Sequence, residues 1–121
     1  MSSGSSSRPR LLVVEDDEVD RELVQRLIGS QFPIRTANCG RSALAALSEE
    51  LPDCVLLDYH LPDIDGLEIL SLILEKSDDV AVVVMTGEGN EAVAVEAMKR
   101  GAQDYLIKGT RTARGLGRAI E

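Results

Sequence analysis

The sequence predicts an α/β protein: a doubly wound, five-stranded parallel sheet with helices on both faces. Two observations predict it. Short, continuously apolar runs of β-branched and leucine residues recur along the chain, as expected of strands buried on both faces. Between them lie longer segments whose apolar residues repeat at helical spacing, the alternation that builds a parallel sheet.

Leu11-Leu12-Val13-Val14 is the first strand, and it stops abruptly at Glu15-Asp16-Asp17. Asp16 or Asp17 suits the N-cap of a first helix, whose stripe runs from Val19 through Leu23, Val24, Leu27 and Ile28. Ile34 to Ala37 is a weak second strand, and Ala43, Leu44, Leu47 and Leu51 form the stripe of a second helix. Cys54-Val55-Leu56-Leu57 is the third strand, and Leu67, Leu70 and Leu74 mark the third helix. Val80 to Met85 is the fourth strand, and Val93, Ala97 and Met98 are placed on the inner face of a fourth helix. Tyr105-Leu106-Ile107 is the fifth. Ala113, Leu116 and Ile120 indicate a last helix, although Gly115 and Gly117 each cost it up to about 1 kcal/mol relative to alanine.

Residues 1–9, dominated by Ser and Gly, read as a flexible tail of a composition also typical of vector-derived leaders. Residues 10–121 read as one domain, within the usual size range. With 44% hydrophobic and 28% charged residues the composition is that of a globular protein. No apolar run approaches the roughly 18 residues of a membrane span, so the reading places the protein in the cytoplasm without membrane contact. A formal net charge of −8 argues against direct nucleic-acid binding, which needs clustered Lys and Arg. Cys39 and Cys54 show no zinc or redox spacing and read as reduced core fillers. Met85 and Met98 also read as core.

In open parallel sheets, ligands sit beyond the carboxyl ends of the strands, where the strand order reverses. Those ends carry Glu15 and Asp16, then Asp58, Thr86 and Lys108. Three carboxylates therefore converge. A pair about 5 Å apart repels by roughly 3 kcal/mol at an effective dielectric of 20, so the cluster must take up protons or a cation. Mg²⁺, which prefers oxygen ligands and keeps several waters, suits such a site, and three carboxylates offset it together with Lys108.

The stretches LLVVEDD, LLDYHLPDIDG, VVVMTGEG and DYLIKG together resemble the receiver domains of two-component response regulators, over nearly the whole chain from Arg10 to Glu121. The resemblance implies the flavodoxin-like (βα)5 fold. It further implies that Asp58 is the phosphoacceptor, Asp16 a direct Mg²⁺ ligand, Glu15 a ligand through water, and the His60 backbone carbonyl a third protein contact. Mn²⁺ would substitute for Mg²⁺. Thr86 and Lys108 would hold the phosphoryl oxygens, and Thr86 and Tyr105 would form the switch. The donor would be the phosphohistidine of a sensor histidine kinase or phosphotransfer protein. The reader would be a downstream effector or a second copy, docking on the face of the fourth helix, fifth strand and fifth helix. Such a domain is no conventional enzyme, although it catalyses its own aspartyl phosphorylation and dephosphorylation.

Simpler roles compete with these. Acidic residues after a strand are often only helix caps, a lone Thr or Lys there is often a turn residue or a solvated charge, and Tyr105 also suits partial burial. The side chain of His60 is expected to face solvent. Asp63 and Asp65 are expected to shape a turn, with Gly66 freeing the backbone for the helix that follows. One departure from the family pattern is Gly109, where Pro usually follows the Lys, which loosens the presentation of Lys108. A haloacid-dehalogenase-type phosphatase would need an Asp where His60 stands. A flavodoxin-like cofactor binder would need a Ser, Thr or Gly-rich first loop, and Glu15-Asp16-Asp17 would repel its phosphate. A receiver fold kept only as an interaction module would not need the complete acidic, Thr and Lys set.

Overall fold

A computed structural model describes residues 9–87, 89–108 and 113–120. Its elements alternate in chain order: β1 (Leu11–Val14), α1 (Glu18–Ile28), β2 (Ile34–Ala37), α2 (Gly40–Glu49), β3 (Cys54–Asp58), α3 (Gly66–Lys76), β4 (Ala81–Thr86), α4 (Glu91–Lys99), β5 (Asp104–Ile107) and α5 (Ala113–Ile120). All strand pairs are parallel, in the order β2-β1-β3-β4-β5. The order reverses between β1 and β3, so their carboxyl ends open a crevice.

Side-chain alternation along each strand divides the core in two. Leu12, Val14, Val55, Leu57, Val82 and Val84 pack on one face with α2, α3 and α4. Leu11, Val13, Cys54, Leu56, Val83 and Met85 pack on the other with Val24 and Ile28 of α1 and Ala119 and Ile120 of α5. A central strand that buries alternate residues in two cores must be apolar along its packed length, which is why β1, β3 and β4 are continuous apolar runs up to the polar residues Asp58 and Thr86 that end β3 and β4. The edge strand β2 covers only its ends, and Arg35 and Thr36 are exposed.

Several expectations need correction. The N-cap of α1 is Asp17, whose carboxylate accepts from the amides of Val19 and Asp20; Asp16 is left for other work. Leu51 lies beyond the end of α2 and is exposed, because Pro52 disfavours helical backbone in the residue before it. The inner face of α4 is Ala94 and Ala97, which turns Met98 out to solvent rather than into the core. Cys39 fills no core: its sulfur caps α2 by accepting from the Ser42 amide, while the Ser42 hydroxyl accepts from the Cys39 amide. Gly66 serves close approach, since a Cβ there would lie 2.6 Å from the Tyr59 carbonyl oxygen and 2.7 Å from its Cα. Residues 1–8 of the expected tail and Gly109 lie outside the described residues.

Candidate functional site

The crevice at the strand reversal receives Glu15 and Asp16 just past β1, Asp58 as the last residue of β3, and Lys108 just past β5. Ligand-capable oxygens of Glu15, Asp16 and Asp58 lie within 4.8 Å of one another. Glu15 and Asp58 are buried, and Asp16 is exposed at the mouth. Lys108 closes the cluster, its Nζ 2.9 Å from Glu15 Oε1 and 3.0 Å from Asp58 Oδ2. The other oxygens are held by backbone: Asp58 Oδ1 accepts from the His60 amide at 3.1 Å, and Glu15 Oε2 from the Asp17 amide at 3.2 Å.

Burial raises the pKa of Glu15 from its ordinary 4.5 to about 7; the neighbouring Asp58 pushes the same way, and Lys108 opposes both. Burial would lower that of Lys108, but contact with Glu15 and Asp58 outweighs it and holds the ammonium above its usual range. The site is thus an ion-pair cluster short of positive charge. Glu15 Oε1, although in ionic contact with Lys108, has no hydrogen-bond partner among the described residues. An all-oxygen donor set, an under-satisfied buried carboxylate and more carboxylates than the single Lys108 can offset fit a hard divalent cation. The acidic group could hold one.

His60 presents its side chain outward, edge-on to Tyr59 with ring centroids 4.8 Å apart. Thr86 is buried as the last residue of β4, immediately after Met85, the register partner of Asp58. Tyr105 is not at the cluster. It pairs in register with Val84, is 40% exposed, and borders a small cleft of about 10 Å³ that Thr86, Asn90 and Ala94 also line.

Three supports escaped the sequence reading. Asp20, in the first turn of α1, reaches Lys108 Nζ with Oδ2 at 3.4 Å. Beside it, Arg21 donates through Nη1 to the Glu15 carbonyl at 2.8 Å and the Asp16 carbonyl at 3.2 Å, fixing the acidic loop. Asp63 accepts from the amides of Gly40 and Arg41 at 2.8 and 2.9 Å, so the loop after β3 is tied to the start of α2. Asp20 had a weak signal, one helical turn beyond Asp16. Asp63 was read only as a turn residue, and its tie to α2 had no signal, since its partners are 22 and 23 residues away.

A doubly wound sheet whose reversal point holds a buried Asp, an acidic pair and a clamping Lys defines the receiver class of signalling domain. A family model, response regulator receiver domain, matches residues 11–119. The chain belongs to that family and is a receiver domain of the two-component response regulator type. Regulatory protein LuxO of Vibrio cholerae is 47% identical over 75 residues, 62% of this chain and 16% of that protein. Transcriptional regulatory protein PrrA of Mycobacterium tuberculosis is 36% identical over 109 residues, 89% of this chain and 46% of its own length. A crystal structure of a response regulator receiver domain protein from Clostridium thermocellum superposes with a TM-score of 0.87 at 30% identity, covering 93% of this chain and 91% of that one. The chain thus spans less than half the length of these two curated relatives.

Proposed function

We propose that this receiver accepts a phosphoryl group on Asp58 from the phosphohistidine of a sensor kinase or phosphotransfer protein, and that Mg²⁺, or Mn²⁺ in its place, is required. The observation that carries the reading is Lys108 bridging Asp58 and Glu15 beside Asp16. Asp16 and Asp58 would hold the ion directly, Glu15 through water, with the His60 carbonyl as a further contact. When bound, the ion neutralises charge on the phosphoryl oxygens.

A carboxylate oxygen of Asp58 attacks phosphorus in line as the P–N bond to imidazole breaks, and the imidazole takes up a proton as it leaves. Lys108 donates to a phosphoryl oxygen from the position it already occupies against Asp58 Oδ2. The buried hydroxyl of Thr86 is the second phosphoryl contact. Water later attacks the acyl phosphate and releases inorganic phosphate, so the domain resets itself. The domain comprises residues 10–121. It works in the cytoplasm, and no helix among the described residues is long and apolar enough to cross a membrane. Output passes to an effector or a second copy through the α4-β5-α5 face, where Val95, Met98 and Tyr105 are exposed. Direct contact with nucleic acid is not part of the reading, given the net charge of −8.

The test is intact mass after incubation with acetyl phosphate. One phosphoryl group should appear in Mg²⁺, and none with EDTA or in Asp58→Asn. A Mg²⁺ titration should show weaker binding in Asp16→Asn. Full labelling of Asp58→Asn places the phosphoacceptor elsewhere, and equal Mg²⁺ affinity removes Asp16 from the metal set.

A further inference from the structure

Lys108 meets carboxylates from three different elements, and only two of them belong to the acidic cluster at the strand ends. Glu15 and Asp58 approach at 2.9 and 3.0 Å. The third, Asp20 of α1, stands 3.4 Å from Nζ and is 28% exposed. Three carboxylates around one ammonium group hold it by charge, and of the three Asp20 Oδ2 is the hydrogen-bond acceptor that gives it a direction. In most lysines the flexible four-carbon stem leaves the head free to wander.

We propose that Asp20 is a positioning residue, acting through Lys108 on phosphoryl transfer to Asp58. The inference rests on the reading of Asp58 and Lys108 given above. When a phosphoryl group arrives, the contact between Nζ and Asp58 Oδ2 must be exchanged for one to a phosphoryl oxygen. Glu15 and Asp20 hold the ammonium from the other directions while that exchange takes place. Asp20 is the better placed of the two to be a dedicated anchor, since Glu15 also faces the carboxylate cluster. A second effect of Asp20 opposes the first: its negative charge repels an anionic donor. The Nζ contact is at 3.4 Å, whereas the repulsion acts from a partly exposed carboxylate through screening solvent, so positioning wins.

The test measures the rate of labelling by acetyl phosphate in Mg²⁺ for wild type, Asp20→Asn, Asp20→Glu, Lys108→Ala and the double variant Asp20→Asn with Lys108→Ala. Asp20→Asn should be about twofold to fivefold slower, as loss of one partly exposed ion pair implies. Asp20→Glu should regain most of that loss. With Lys108 already replaced, Asp20→Asn should change nothing further. A readout without metal or donor accompanies it: the ¹⁵N resonance of the Lys108 ammonium, slowed in exchange by its hydrogen bond to Asp20 and its ion pairs, should be sharp in wild type and Asp20→Glu and broadened in Asp20→Asn. An unchanged or faster rate in Asp20→Asn overturns the proposal, as does slowing that persists in the Lys108→Ala background or an unaltered ammonium resonance. If the wild type takes no label, or Lys108→Ala labels as fast as wild type, the underlying site reading falls and this inference with it.

Discussion

At Glu15, burial and a nearby carboxylate work against ionisation, and the folded chain therefore holds a proton more tightly than the unfolded one. The sign follows directly. A carboxyl whose folded pKa is raised contributes stability fully present below its ordinary value of 4.5, and that contribution is lost as pH rises through about 7. In EDTA, urea unfolding of the wild type should show stability falling between pH 5 and 8, by up to about 3 kcal/mol on complete ionisation. Glu15→Gln should flatten this part of the profile, and saturating Mg²⁺ should do the same for the wild type. Equal wild-type stability at both pH values in EDTA would show that Glu15 is ionised throughout. Cys54 is the opposite sort of residue: burial pushes its thiol up to about 12, so it is inert filling in the second core.

The elements around the site are fixed by a few close approaches. Gly66 lets the start of α3 touch the backbone of Tyr59, the residue that follows Asp58. Both groups in that contact are backbone and neither can rotate away, so Gly66→Ala should destabilise the fold by about 1–3 kcal/mol in chemical denaturation. A change near zero would mean the helix can shift without cost. The link from Asp63 to the start of α2 is chemically different. Its carboxyl is held below its ordinary 3.8 by the amides of Arg41 and Gly40, so this contribution is present above that value and lost as pH falls through the lowered one. Asp63→Asn should therefore lower the thermal midpoint at pH 7, and the difference from wild type should shrink on acidification below about pH 4. A difference that grows in acid would contradict the assignment. This window lies below that of Glu15, so the two effects separate.

For the whole molecule, the function proposed above requires that a charge added at Asp58 be transmitted to a surface. Thr86 ends the strand beside Asp58, and Tyr105 lies one strand further out, 40% exposed. The cleft between them, about 10 Å³, has room for about one water and none for a phenol ring. On the proposed switch, an inward-turned Tyr105 would need more room beside Thr86 and Ala94 than this cleft offers. If Thr86 is the second phosphoryl contact, phosphorylation and its distant consequence should come apart in Thr86→Ala, which loses that hydroxyl and keeps every carboxylate. Amide shifts by NMR with and without beryllofluoride should spread from Asp58 to residues 93–105 in wild type and stay near Asp58 in the variant. Undiminished distant shifts in Thr86→Ala would mean that another route joins the site to the α4-β5-α5 face.

The central strands, the alternation of elements and the residues at the strand ends were legible in the sequence because burial on both faces leaves a run with no polar interruption, as in Cys54 to Leu57. Glu15, Asp16, Asp58 and Lys108 stood out there as polar residues where apolar runs stop. The rotation of α4 was not legible, since Ala94 and Ala97 compete with Val95 and Met98 for the inner face and only packing against the sheet decides between them. Nor were the contacts that cross the chain. Lys108 and Asp20 are 88 positions apart and Asp63 and Gly40 are 23 apart, and no local periodicity encodes a pairing at that distance. Local physics, burial pattern and caps, sets which elements form and what their ends carry. The supports of the site depend on how separate elements dock, and that is settled only when the two cores close on the sheet.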